Sequence, residues 1–235
     1  MNAPLPPPPW RRATRTPRRQ LTTETIVDTA LSVLSAEGPD AVTMRRIAHE
    51  LDTGPGSLYA HVQDKRELHE LMLDAAMRVV ETPEPDPQNW RTQLKQLCLE
   101  QARVLTETPG IAQIAMETLI PTTPGILVAM DGMLGILRCS GIPDDRIAAA
   151  GDMLALHVTA YAYEASLWQS PSGQSDEAHR RLGQIGDYLQ SLPADQLPNL
   201  KAMNHAMLHG TEPDHFEFAL DVFIAGLAAH ADVRP

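Results

Sequence analysis

Between Thr43 and Lys65 the chain reads TMRRIAHELDTGPGSLYAHVQDK, a run dense in groups that bind phosphate oxygen. Arg45 and Lys65 can neutralise a phosphate, and Thr43, Ser57, Tyr59 and His61 can donate hydrogen bonds to one. A second set lies farther along. His157, Tyr161, Glu164 and Trp168 fall mostly at i, i+4 spacing, so one helix face presents all four. A few polar groups on an apolar face suit a cavity that orients a small molecule. Arg103, Gln113, Met116, Glu117 and Met133 are candidates for the opposite walls. The same pattern also suits a helix-packing face with satisfied polar tips.

The elements that must position the first set follow from local patterning. Met44, Ile47, Ala48 and Leu51 are spaced for one face of a short helix, with Thr43 placed to cap it. Asp52-Thr53-Gly54 reads as a turn in which the glycine supplies a positive φ. Pro55 is tolerated in the first turn of a second helix, from about Gly56 to His61. That helix is too short to be stable alone. Helix, tight turn and helix is the helix-turn-helix layout, whose second helix can enter a DNA major groove. Tyr59 has a competing role in packing between helices. A first helix over Leu21–Ala36, capped by Thr22 or Thr23, and a fourth over Lys65–Glu81, capped by Asp64, complete a small DNA-reading head.

Here the residues carry a family resemblance. TMRRIAHEL, a turn, and GSLYAHVQDKREL resemble the DNA-binding end of the tetracycline repressor (TetR) family, with Leu58-Tyr59, His61, Lys65 and Leu68 the most specific part. The resemblance implies DNA contact at Thr43, Arg45, Pro55, Gly56, Ser57, Tyr59, His61 and Lys65. Gly54, Pro55 and Gly56 expose little with which to read bases. Apolar contact from Pro55, for instance to a thymine methyl, and DNA shape are left to carry specificity. The second half resembles the tetracycline-repressor subfamily through Asn89-Trp90, a long helix from Arg146, and a closing block from Glu212 to Leu227. That likeness implies a homodimer whose long and last helices form a four-helix bundle across a two-fold axis. Glu81 stands where the subfamily has a drug-contacting histidine, which implies an effector other than tetracycline.

The expected architecture is all-α: a basic arm over 1–20, a helix-turn-helix head over 21–81, a linker over 82–88, and a helical effector-binding and dimerisation body over 89–235. The linker holds three prolines in TPEPDPQ and cannot continue a helix. In the body, helical spacing predicts segments at Trp90–Thr108, Ile111–Leu119, Ile126–Cys139, Asp144–Gln169, Asp176–Leu192, Leu200–His209 and Pro213–Ala231. The Asp144–Gln169 helix is apolar nearly all round, so it should be buried all round, part of that by another subunit.

Charge divides the chain. Residues 1–20 hold five arginines and no acid, 21–80 five bases against ten acids, and 81–235 nine bases against twenty acids. The basic tip can approach phosphate, while the acidic body stays off it. The arm either adds phosphate or minor-groove contacts or is a disordered solubilising tail. Two isolated cysteines make no disulfide framework and fit a reducing cytoplasm. The longest apolar run, Ile147–Tyr163, is broken by Asp152 and His157 and is too short to span a membrane. Arg11-Arg12 lacks the apolar run that a twin-arginine signal requires.

These observations point to a ligand-responsive transcriptional regulator, most often a repressor in this family, with operator DNA, a small and largely apolar effector and a second copy of itself as partners. No cofactor or metal is expected. His205 and His209 share a helix face without further ligands. A helical-bundle enzyme lacks any GxSxG, P-loop or GxGxxG motif, and no catalytic residue is expected. An effector-free DNA-binding protein leaves the polar groups of the longest helix unexplained.

Overall fold

A computed structural model describes residues 21–169, 174–209 and 212–231, and the described residues form helices and no strand. The basic arm lies outside them. Helix α1 spans Thr23–Glu37, and Thr22 caps it by accepting from the Thr25 N–H at 3.1 Å. Gly38 closes it at φ 84°, a conformation only glycine adopts without strain. A 3-10 turn at Pro39–Ala41 leads to α2, Met44–Glu50, capped by the Thr43 hydroxyl. Helix α3, Pro55–Leu58, runs on as a turn in which Val62 N–H still bonds Leu58 O at 2.9 Å. Helix α4, Lys65–Met77, starts from a reciprocal cap: the Asp64 carboxylate accepts from Glu67 N–H at 2.8 Å while Glu67 accepts from Gln63 N–H. It ends four residues short of the expected Glu81.

The turn between α2 and α3 departs from expectation in one detail. Asp52 takes the positive φ, 47°, and Gly54 sits extended at φ −82° as the N-cap of α3. Aspartate tolerates the left-handed region better than most side chains, which frees the glycine from that task.

The body contains α5, Trp90–Glu107; α6, Ile111–Glu117; α7, Pro124–Arg138; α8, Asp144–Gln169; α9, Gln174–Ser191; α10, Pro198–His209; and α11, Glu212–Ala231. Helix α8 packs chiefly on α5, α6 and α7, and α11 lies against α5. Head and body share one apolar core. Ile26, Leu34, Ile47, Leu58, Leu68 and Met72 from the head continue into Leu94, Ile111, Ile114, Ile136, Leu137 and Leu154 of the body, all essentially inaccessible to solvent. Close approach is part of the seam: Gly110, at φ 79°, sits where a Cβ would lie 2.6 Å from Leu34 Cδ1.

The proline-rich linker is tacked down. Gln93 of α5 accepts from Asp86 N–H at 2.9 Å and donates to Glu84 O at 2.7 Å. Thr82 and Pro85 lie over Gly132 and Gly135 of α7, where a Cβ would meet them at 2.5 and 3.0 Å.

Burial of α8 is one-sided. Ile147, Leu154, Val158, Ala162 and Ala165 are buried, but Met153 is 57%, Leu156 61% and Leu167 43% exposed. This single chain covers half of a helix that is apolar on every side.

Candidate nucleic-acid interface and effector cavity

The helix-turn-helix is held from beneath. Leu58 and Val62, at 0% and 1% exposure, anchor α3 and its following turn into the core formed by Ile47, Ala48 and Leu68. Neighbouring positions are thereby turned outward. Thr43, Arg45, Pro55, Gly56, Ser57, Tyr59, His61 and Lys65 are all exposed. Tyr59 retains 53% of its surface, so its ring does not fill a gap between helices.

The two adjacent arginines have different fates. Arg46 turns back to Glu37 at the end of α1, at 2.6 Å, and to Glu50 one turn along α2, at 2.7 Å. Hydrogen bonding to that guanidinium holds the Glu37 carboxyl below the usual carboxylate range. Arg46 thus fastens α2 to α1, and Arg45 faces outward.

The body residues read from the sequence as a ligand set are divided. Arg103 and Tyr161 line one cavity of about 260 Å³ between α5, α8 and α11, together with Leu99, Ala102, Thr106, Glu107, Gln169, Phe216 and Glu217. Arg103 is clamped by Glu100, at 2.9 Å, and by Glu107. Tyr161 stacks on Phe216 at 4.0 Å between ring centroids, and His157 on the same ring at 5.2 Å. His157 and Tyr161 thus both meet α11 at Phe216, with His157 otherwise exposed and Tyr161 also on the cavity wall. Gln113, Met116 and Glu117 stand on α6 apart from this cavity, with Gln113 bonded to Glu117 at 3.0 Å. Met133 is buried on α7, Glu164 is exposed, and Trp168 meets His179 of α9 edge-on at 5.0 Å.

Thr106, Gln169 and Phe216 line the cavity without having been named from the sequence. The Thr106 hydroxyl is buried with no hydrogen-bond partner, a feature that a polar ligand atom can satisfy. A shallower groove of about 680 Å³ continues along α5 and α11, where Lys95 reaches Glu217 at 3.3 Å and Asp221 at 2.8 Å. No group of three or more metal-ligating side chains occurs among the described residues. Nor is any described helix long and apolar enough to cross a membrane.

Comparison with known proteins covers both parts of the chain. Residues 26–72 match the family model for bacterial regulatory proteins of the tetR family, and 82–231 the tetracyclin repressor-like C-terminal domain. The HTH-type transcriptional repressor DrrR1 of Streptomyces coeruleorubidus is 30% identical over 227 residues, covering 92% of this chain and 81% of the relative. The tetracycline repressor protein class C of Escherichia coli is 26% identical over 88% of this chain and 91% of its own. Among solved structures, ActR of Streptomyces coelicolor in complex with actinorhodin superposes with a TM-score of 0.81 at 40% identity, covering 89% of this chain and 96% of that one.

Proposed function

Because the chain belongs to the TetR family of bacterial regulatory proteins, we propose that it is a ligand-responsive transcriptional repressor released from a pseudo-palindromic operator by a small, largely apolar molecule. The observation that carries this reading is the helix-turn-helix with its donors and cations on the outer side and Leu58 locked beneath. Thr43, Arg45, Ser57, Tyr59, His61 and Lys65 supply phosphate contacts, while Pro55 and Gly56 permit close approach to the groove. Base contacts are few, so groove shape contributes to operator choice.

The operator is read by a dimer. Met153, Leu156, Ala160 and Leu167 make one stripe on α8, and Phe218 and Val222 stand exposed on α11 at 70% and 56%. Gly226 has nothing within 4 Å of where a Cβ would sit. A second copy, related by a two-fold axis, covers these faces as a four-helix bundle.

The effector site is the cavity between α5, α8 and α11. Its apolar walls, the Thr106 hydroxyl and the clamped Arg103 suit an apolar molecule with a few polar groups. ActR, 40% identical and solved in complex with actinorhodin, supports a small-molecule ligand for this chain. The effector stabilises a separation of the heads that no longer fits DNA, a population shift driven by its differential affinity for the two states. The head takes in residues 21–81 and the body 89–235, with the chain working on cytoplasmic DNA as a regulator and not as an enzyme.

Gel shift with double-stranded DNA from the chain's own upstream region tests the reading. The expected result is selective retardation of a palindrome, relieved by an apolar compound. Equal binding to random DNA would sink the regulator reading. Selective binding that no apolar compound relieves favours an effector-free DNA-binding protein.

A further inference from the structure

The N-terminus of α7 is capped by a helix from the other part of the molecule. Thr123 occupies its N-cap position but makes no capping hydrogen bond, and the Thr123 hydroxyl is buried with no partner. Pro124 has no N–H to offer. The Ile126 N–H is instead taken by Oδ1 of Asp74 on α4, at 3.1 Å. One turn earlier on α4, Glu70 is 5% exposed, and its Oε2 accepts from Thr122 N–H at 3.1 Å and from the Thr122 hydroxyl at 2.6 Å. Two carboxylates thus sit at the positive end of a 15-residue helix, where backbone donors and dipole favour negative charge. Fit is close on both sides, since a Cβ on Gly125 would collide with Asp74 Oδ1.

The placement gives this contact a consequence. Lys65 begins α4 and Asp74 lies nine residues on, about 13 Å along the axis at the helical rise. Helix α7 packs on α5 and α8, which line the cavity between α5, α8 and α11. A shift of either helix reaches α4 through the two carboxylates, and tilting of α4 moves Lys65. We propose that the Glu70–Asp74 clasp on the N-terminus of α7 couples the DNA-reading head to the body, with both acids acting as positioning residues. This rests on the regulator reading above and assigns its transmission to named groups.

The test needs no effector. Hydrogen exchange of the full-length chain is followed by mass spectrometry across residues 118–127, with and without the palindromic DNA retarded in the gel. In the native chain, DNA slows exchange there by about tenfold, the scale of one helix cap. The Glu70→Ala/Asp74→Ala variant loses the DNA-induced slowing at one cap's scale and, because the coupling is reciprocal, binds DNA up to about tenfold more weakly although neither acid faces DNA. Glu70→Gln/Asp74→Asn, which keeps the acceptor oxygens, restores part of it. Gly125→Ala opens the clasp from the α7 side and gives the same loss, so the inference stands or falls even if the double alanine variant does not fold. DNA that binds the native chain but leaves 118–127 unchanged overturns the proposal, as does full slowing in the alanine and Gly125→Ala variants. A native chain that selects no palindrome is recognised in the gel beforehand and overturns the regulator reading, and this inference with it.

Discussion

Replacing Leu156 by glutamate places a carboxylate in the middle of the α8 stripe. In the single chain Leu156 is 61% exposed, so the substitution disturbs little of the fold itself. Fully burying a leucine contributes roughly 1.5–3 kcal/mol, so covering this remaining surface contributes about 1–2 kcal/mol. The two-fold axis brings two copies, making about 2–4 kcal/mol lost per dimer. Each buried and unpaired carboxylate adds a desolvation cost of several kcal/mol, partly relieved by protonation. A total above about 5 kcal/mol corresponds to a dimer weakened by three to four orders of magnitude. Sedimentation across a concentration series reads the dissociation constant directly, and circular dichroism confirms that helix content is kept. Val79→Glu, at a site 64% exposed beyond the end of α4, serves as control and leaves the dimer intact. Gel shift should show Leu156→Glu losing the palindrome while non-specific binding persists, because each head still meets phosphate. A Leu156→Glu chain that remains dimeric with an unchanged constant would refute the assignment of this face to the partner.

Other predictions address single groups. Lys65→Ala should weaken binding to all DNA sequences about equally and lower the slope of log affinity against log salt by about one, read by titration at several salt concentrations. Thr43→Ala removes the cap of α2 at a cost of about 1 kcal/mol, lowering the melting temperature by about 2–4 °C in calorimetry. Burial pushes the Cys98 thiol up to about 12, so a thiol reagent at pH 8 should label partly exposed Cys139 in the native chain and Cys98 only in denaturant. Burial holds the His69 imidazole below its usual value near 6.5, and its Nε2 has no partner. The unfolded chain therefore takes up that proton first, so stability is full above about pH 6.5 and declines as pH falls toward the lower folded value; His69→Gln should flatten this decline in denaturant titrations.

Legibility from sequence tracked how local each cause was. Caps at Thr22, Thr43 and Asp64 depend on a few adjacent residues and were readable. The DNA-facing set on the head came from the family resemblance, and the structure turns those positions to solvent, with Leu58 and Val62 buried beneath α3. Where a position depends on a distant partner, the sequence was mute. Tyr161 and Trp168 share a face on α8, yet Phe216 claims one and His179 the other. Asp74 and Glu70 look like solvated acids on an amphipathic helix, and only the approach of α7 reveals what they hold. The proline-rich linker shows where a helix must stop, but its attachment to Gln93 and to the glycines of α7 is a tertiary matter.

The spare outer surface of the recognition element has a bearing on how such a protein changes allegiance. Gly54 and Gly56 have nothing within 4 Å of where a Cβ would stand, and neither uses a backbone conformation reserved for glycine. A side chain can be written into either position without repacking the head. An arginine or glutamine introduced at Gly56 would project from a rigid support toward base edges that the present sequence leaves unread. On the proposed reading the fold thus keeps open positions on the face it turns to DNA, where a single codon change would add a side chain without disturbing the head.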